Sequence, residues 1–315
     1  MKLIIYLPAY NEEDNILQVL TGLPKVLDKI DIIQHLVIDD GSTDQTATFA
    51  QNSGALVVLH GRNRGVGTAF HSAIQVALEN GADILVGIDA DGQFDPSEIP
   101  GLIAPIIDDK ADMVIGNRFF SGMPNFMPVE KYWGNKQISK LISTVSGQKF
   151  QDVSCGYRAY SRDALLHFNL FGSFTYTHET VLSLIFQGLR VQEYPIKVKY
   201  DPKRESRVAE SLLHYALQTS KIIFRVVLDY RPMRVLGSFG CGLILLGAAF
   251  IIFLLFHYIF NQAFTPYKSF GFIGLGFFIF GMLVILIAFL ADMINRLRIN
   301  QDRILYEYKK SRYRK

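Results

Sequence analysis

The chain is short of charge and of cysteine. Charged residues fill 19% of its 315 positions, against about 25% in an ordinary soluble domain. Its two cysteines, Cys155 and Cys241, exclude a disulfide scaffold and a cysteine-rich zinc site. Half of the residues are hydrophobic, with a mean hydropathy of +0.20, which excludes global disorder. No internal repeat, low-complexity segment or heptad pattern is present. Lys, Arg, Asp and Glu are all missing from residues 235–260 and 269–291. As a helix the first run would be about 39 Å long, enough to cross about 30 Å of hydrocarbon with some tilt. A pair of buried core helices is the alternative, but uncharged runs of this length are rare outside membranes.

Positive charge is scarce between the two runs and plentiful outside them. Residues 261–268 hold only Lys268, whereas Lys221, Arg225, Arg231 and Arg234 precede the first run. From Asp292 onward eight basic residues face three acidic ones, and the rest of the chain carries 24 basic against 26 acidic. The positive-inside rule then predicts a multi-pass membrane hairpin with both ends cytoplasmic, in a cytoplasmic (inner) or endoplasmic-reticulum-type membrane. A nucleic-acid partner is excluded, because the body lacks a basic surplus of its own. Lys2 and the apolar residues 3–7 are too short a run for a signal peptide, since Pro8 and Asn11-Glu12-Glu13-Asp14 follow at once. Residues 211–230 place apolar side chains at helical spacing, with Lys221 and Arg225 between them. This fits an amphipathic helix in the membrane interface or a packed helix of the preceding domain.

Up to about residue 200, short β-branched runs (3–7, 32–38, 55–59, 84–88, 113–115) alternate with helical stretches (12–28, 43–53, 67–80, 96–107). That order predicts an α/β fold with a parallel sheet. Each strand runs into a polar cluster, and open parallel sheets bind ligands at the carboxyl edge. Asp89-Ala90-Asp91 ends a buried strand, so two carboxylates share one side. Like charges so close repel unless a cation sits between them. Mg²⁺ or Mn²⁺ bound by these carboxylates and substrate phosphates is one reading. A turn at Asp91-Gly92 with a helix opening at Asp95-Pro96 is the other. A phosphohydrolase Asp-x-Asp-Gly is disfavoured, because Gln93 follows and three strands precede. Asp39-Asp40-Gly41-Ser42-Thr43-Asp44 reads as a helix cap. Capping leaves the two adjacent carboxylates unexplained, and a nucleobase or ribose could donate to one. The run from Gly61 to Gly67 follows the third strand with the wrong spacing for a nicotinamide dinucleotide loop. A turn with a basic residue near a phosphate fits it better.

Taken in order, Pro8-Ala9-Tyr10-Asn11-Glu12, Asp39 through Asp44, Asn63-Arg64-Gly65 and Asp89-Ala90-Asp91-Gly92-Gln93 resemble the GT-A domain of family 2 glycosyltransferases. Gly116-Asn117-Arg118, Gly134-Asn135 and Asp152 through Arg158 are similar to the polyprenyl-phosphate branch, which includes dolichyl-phosphate mannose synthase. The resemblance covers about residues 1–230, and the two-span hairpin recurs in that branch. It implies a GT-A catalytic domain at 1–207 with a mostly parallel, Rossmann-like sheet. An amphipathic juxtamembrane region at 208–233, a transmembrane hairpin at 234–291 and a basic cytoplasmic tail at 292–315 would follow.

The implied reaction is inverting, metal-dependent transfer of a sugar from a UDP- or GDP-sugar to undecaprenyl or dolichyl phosphate at the cytoplasmic face. By the resemblance, Pro8, Tyr10, Glu12, Asp40 and Asn63 would bind the nucleoside. Asp89, Asp91 and Gln93 would hold the metal and diphosphate, and Arg118 would face a donor or acceptor phosphate. Lys131, Arg158, Lys203, Arg204 and Arg207 are the candidate acceptor-phosphate clamps. A lipid phosphate is already anionic near pH 7, with a second pKa of about 6, so no general base is required. A glycan or glycolipid hydroxyl acceptor would require one, with Asp152 or Glu179 as candidates; His178 reads as structural. A non-catalytic nucleotide-sugar-binding subunit is the non-enzyme alternative, disfavoured by intact Asp89, Asp91 and Arg118. Glycines such as Gly237, Gly240, Gly247, Gly271, Gly274 and Gly276 permit close helix packing, including a homo-oligomer. Two spans are few for moving a lipid-linked sugar across a bilayer, so a separate flippase and a downstream glycosyltransferase are the expected partners.

Overall fold

A computed structural model describes residues 1–169, 177–200, 221, 224–228 and 230–314. Lys203, Arg204 and Arg207, and most of the expected amphipathic helix, lie outside the described residues. The chain divides into two units, Met1–Ile223 with Leu305–Lys315, and Phe224–Ile304.

The first unit opens with β1 (Lys2–Ala9), α1 (Ile16–Gly22), β2 (Ile32–Asp39), α2 (Thr46–Asn52), β3 (Leu56–Leu59), α3 (Val66–Glu79) and β4 (Ile84–Gly87). A short 3₁₀ turn (Pro96–Glu98), α4 (Ile99–Ile107), β5 (Met113–Asn117) and α5 (Val129–Ser146) follow. Next come β6 (Arg158–Ser161), α6 (Arg162–His167), α7 (Thr177–Phe186) and β7 (Val191–Pro195). The expected helix at 12–28 is cut to α1, because Pro24 disfavours helical backbone at Leu23.

The seven strands form one sheet in the order β3-β2-β1-β4-β6-β5-β7. β6 is antiparallel to both neighbours, and the other pairings are parallel. β1 lies between β2 and β4, and Leu3, Ile4, Ile5 and Leu7 are fully buried. Strands covered on both faces lose the polar alternation of a half-exposed sheet. Ala9 pairs with Asp39, and Asp39 with Leu59, so the first three strands end together. β6 runs the other way and starts at this same edge, with Arg158 opposite Gly87 and Ile115.

The second unit holds α8 (Pro232–Asn261) and most of α9 (Lys268–Arg312). Both helices are long and apolar enough to cross a membrane. Their glycines pack the hairpin on itself. A Cβ added at Gly247 would lie 2.6 Å from the Gly274 carbonyl oxygen, and one at Gly281 would lie 2.8 Å from that of Gly240. Thus Gly240, Gly247 and Gly274, expected as packing positions, are used within one chain, while Gly276 faces open space.

The last turns of α9 belong to the first unit. There Tyr306 donates to Asp163 at 2.7 Å, Lys309 donates to the Phe168 carbonyl at 2.7 Å, and Arg162 donates to the Tyr313 carbonyl. This end of the basic segment is helical and fastened to α6.

Candidate active site

On one side of the sheet edge the ends of β1 and β2 are laced together. The Asn11 amide donates to Ser42 Oγ at 2.9 Å, and Asn11 Oδ1 accepts from the Thr43 amide at 2.9 Å. Asn11 takes φ +52° to do so, a region Asn tolerates better than most residues. The Glu12 amide donates to Thr46 Oγ1, and its buried carboxylate accepts from Asn15. Pro8 is half-buried and Tyr10 exposed at this edge.

Asp40 fastens the loop that follows β3. It accepts from the Arg64 amide at 3.0 Å, the Gly65 amide at 2.7 Å and His60 Nδ1 at 2.6 Å. His60 Nε2 bonds Ser72 Oγ at 2.9 Å, which ties the loop to α3. Asn63 lies in this loop, its side-chain oxygen accepting from the Gly65 amide. Gly41 has φ +80°, and a Cβ there would come within 2.5 Å of the Arg62 backbone, so only glycine fits. Asp39 is buried with Oδ2 on the Ser42 amide, and its Oδ1 has no hydrogen-bond partner among the described residues.

On the other side β4 delivers Asp89 and Asp91. Gly87 is required where the Tyr6 ring crosses, 2.5 Å from a Cβ added there. Gly92 turns the chain with φ +74°, and Asp91 Oδ1 accepts from the Gln93 amide at 3.0 Å. The Gln93 carbonyl accepts from the Lys199 amide at 2.9 Å. Asp95 caps the 3₁₀ turn through the Ser97 amide at 2.9 Å. Turn chemistry is therefore present around the motif. A Cβ added at Gly156 would lie 3.3 Å from Asp89 Oδ2, so the segment before β6 backs the carboxylate closely.

Lys131 lies within electrostatic reach of these carboxylates, and Arg118 within reach of Lys131. Burial holds the Lys131 ammonium below the usual lysine range, with the Arg118 charge adding to this and Asp91 and Asp89 pulling the other way. Its Nζ sits 5.5 Å from the centre of the Tyr200 ring. Arg118 donates Nη1 to Tyr200 Oη at 3.1 Å. Its other donors make a two-pronged pair with Asp152, Nε–Oδ2 at 2.7 Å and Nη2–Oδ1 at 2.8 Å. Burial opposes the Arg118 charge, but Asp152 outweighs it, so the guanidinium stays charged with a raised pKa. Glu193 fixes the Asp152 amide in turn, at 2.7 Å.

Two expectations change. Asp152 does not stand as a general base: its carboxylate is fully buried and both oxygens are committed to Arg118. Arg158 does not reach a phosphate. It is fully buried and donates to the carbonyls of Cys155, Val153 and Thr177 and to Thr180 Oγ1. An arginine starting an inserted antiparallel strand points into protein, where its charge must be met by carbonyl oxygens. Glu179 is half-buried on α7, beside buried His178, whose Nε2 bonds Ser154 Oγ at 3.1 Å. Burial, with Arg158 nearby, pushes the His178 pKa down to about 3, so it is neutral and structural.

His60 and Tyr200 are neighbours of the candidate site that the sequence did not reveal. A lone histidine or tyrosine after a strand gives no local sign of its partner; only the sheet order supplies it.

The donor set suits a hard divalent cation. Among the described residues no third His, Cys, Asp or Glu joins Asp89 and Asp91. Two carboxylates, with substrate phosphate and water completing the shell, is how proteins commonly hold Mg²⁺.

Known proteins share the sequence and the fold of this unit. Residues 4–168 match the model of glycosyl transferase family 2. A UDP-N-acetylglucosamine–dolichyl-phosphate N-acetylglucosaminyltransferase of Methanococcus voltae is 34% identical, over 51% of this chain and 71% of its own. An undecaprenyl-phosphate mannosyltransferase of Micrococcus luteus is 29% identical, over 69% and 91%. Among solved structures, glucosyl-3-phosphoglycerate synthase of Mycobacterium tuberculosis, crystallised with Mn²⁺ and UDP, superposes with a TM-score of 0.55. It is 20% identical and the match covers 73% of this chain and 79% of that one, a likeness of GT-A fold alone.

Proposed function

The chain belongs to glycosyl transferase family 2, and on that premise we propose that it moves a sugar from a UDP- or GDP-sugar onto polyprenyl phosphate at the cytoplasmic face of a membrane. The observation that carries this reading is the placement of Asp89 and Asp91 past β4 and of Arg118 past β5, with Lys131 within electrostatic reach of all three, in a chain with two helices of membrane-spanning length. Relatives named for dolichyl- and undecaprenyl-phosphate transfer support the choice of acceptor.

The nucleoside lies against the laced ends of β1 and β2, with Asp40 shaping the loop that closes over it. Asp89 and Asp91 are the residues that hold a divalent cation, which when bound offsets the charge that builds on the leaving diphosphate. Lys131 and Arg118 draw the acceptor phosphate to the anomeric carbon. Arg118 is preset by Asp152 and Tyr200 and needs no reorganisation as the phosphate arrives. The acceptor oxygen is already anionic, so positioning replaces proton abstraction. A hydroxyl acceptor is disfavoured by the commitment of Asp152 to Arg118.

The test is nucleotide release by detergent-purified protein, given a panel of UDP- and GDP-sugars with Mg²⁺ or Mn²⁺. The expected result is release that requires polyprenyl phosphate and vanishes in Asp91→Ala. Release that ignores the lipid but answers to a glycan would overturn the acceptor assignment and make Glu179 the residue to test.

A further inference from the structure

Glu193 stands on β7, the outer strand of the sheet, opposite Ile115 of β5. Its carboxylate is spent on backbone. Oε1 accepts from the Asp152 amide at 2.7 Å and the Gln151 amide at 2.9 Å, and Oε2 accepts from the Gln151 amide at 3.0 Å. Asn117 joins this group: its Nδ2 lies 3.3 Å from Gln151 Oε1, and its Oδ1 accepts from the Phe119 amide at 2.9 Å. The residues on either side of Arg118 are thus pinned to one another and to the loop before β6. Burial raises the Glu193 carboxyl above its usual range, against the pull of the Asp152 and Gln151 amides, and the Asp152 charge adds to the rise. Two carboxylates kept this close cost stability, so packing alone does not account for an acid at this position.

What the acid does is hold the far end of Asp152. The Asp152 amide is on Glu193, and its carboxylate takes the Arg118 amide at 3.1 Å as well as the two-pronged guanidinium. The next amide, that of Val153, donates to Ser139 Oγ at 3.1 Å. Three successive amides are therefore gripped by side chains of β7 and α5. Seven residues after Glu193, Tyr200 accepts from Arg118 Nη1. One segment, 193–200, thus holds Arg118 from two sides, directly through Tyr200 and through Asp152 from Glu193. A glutamine at 193 could accept from one amide, but its own NH₂ group would face the other donors. Only a carboxylate satisfies both amides with no donor of its own.

We propose that Glu193 is a positioning residue for Arg118, acting through Asp152 to fix the guanidinium where the acceptor phosphate arrives. The relay rests on the bonds just described. Only the phosphate as its beneficiary rests on the transfer reading above.

The full chain in detergent is compared with Glu193→Gln and with Glu193→Asp, which keeps the charge but withdraws it by one methylene. Residue-resolved hydrogen exchange reads the relay with no substrate present. The Arg118 amide donates to Asp152, so it reports on Glu193 through the relay. It is expected to exchange about tenfold faster in either variant, with the amides of β5 near wild type. Transfer to polyprenyl phosphate is expected to lose about tenfold in kcat/KM for the lipid, with the donor KM unchanged. In an Arg118→Lys background the two-pronged pair is already gone. There Glu193→Gln should cost no more than about twofold, whereas a purely structural defect would cost the full factor again. An Arg118 amide that exchanges at the wild-type rate overturns the proposal. So does faster exchange along all of β5, a loss shared equally by donor and lipid, or additive losses in the double variant. The two claims fail separately. Arg118 loosened as expected in a protein that makes no use of polyprenyl phosphate sinks only the transfer reading. Lipid-dependent transfer with an Arg118 amide indifferent to Glu193 sinks only the relay.

Discussion

Asp39 and Asp40 close β2, and Asp89 and Asp91 stand just past β4, yet the groups gathered around the two pairs differ. Asp40 takes two backbone amides and a histidine, all from the segment it holds in place. Asp91 caps its own turn through one oxygen, and Asp89 is backed by a glycine. The nearby positive charge comes from Lys131, with Arg118 next to it. A carboxylate surrounded by amides shapes the protein. A carboxylate pair within electrostatic reach of a lysine, with no third acidic or histidine ligand among the described residues, fits the proposed role of sharing a substrate's charge.

The comparison breaks if the two pairs respond alike to substitution. Asp91→Ala is expected to cut kcat/KM by about 10³-fold, the scale of losing electrostatic stabilisation of a leaving group. The thermal midpoint of the substrate-free protein should barely move. Asp40→Ala is expected to do the reverse in kind. It leaves His60 Nδ1 and two amides without their acceptor, which should cost about 2–4 kcal/mol of stability. Thermal unfolding in detergent checks both, and an Asp91→Ala protein as unstable as Asp40→Ala would erase the distinction.

Much of this frame was legible beforehand. The five runs read as strands became β1 to β5, because continuous branched apolar segments bounded by turn residues have few other places to go. Asp89 and Asp91 were visible because two charges at the end of such a run contradict burial. The inserted strand was not visible. Arg158 pairs with Gly87, 71 positions earlier, and no local periodicity records a partner so far off. Sequence position alone therefore makes its arginine look like a site cation, whereas the antiparallel insertion turns it inward. Asp152 is opaque in the sequence for the same reason. Its role is set by Arg118, and the two meet only once β5 and the segment before β6 are side by side.

The cations sharpen the comparison at a smaller scale. Lys131→Met is expected to raise the KM for polyprenyl phosphate about tenfold, the size of one charge-assisted contact, with donor KM and stability near wild type. Lys131→Arg should recover most of the loss, since the charge is what the phosphate meets first. Equal effects on donor and acceptor would mean that Lys131 serves the diphosphate instead.

The smallest effect belongs to the locked interior around Arg158. The folded pKa of His178, about 3, lies below its ordinary 6.5, from burial first and the Arg158 charge second. Above pH 6.5 the imidazole is neutral folded or unfolded, so it adds no pH dependence. As pH falls below 6.5 the unfolded chain takes up a proton that the folded one refuses, and stability declines down to about pH 3. His35 and His71 are lowered in the same direction, each mainly by burial. His178→Gln should therefore reduce the slope of the thermal midpoint between pH 6.5 and 4 without abolishing it, and leave the curve above pH 7 parallel to wild type. An unchanged acid slope would place His178 in a wetter, protonatable site and loosen the case for a locked interior beside Arg158.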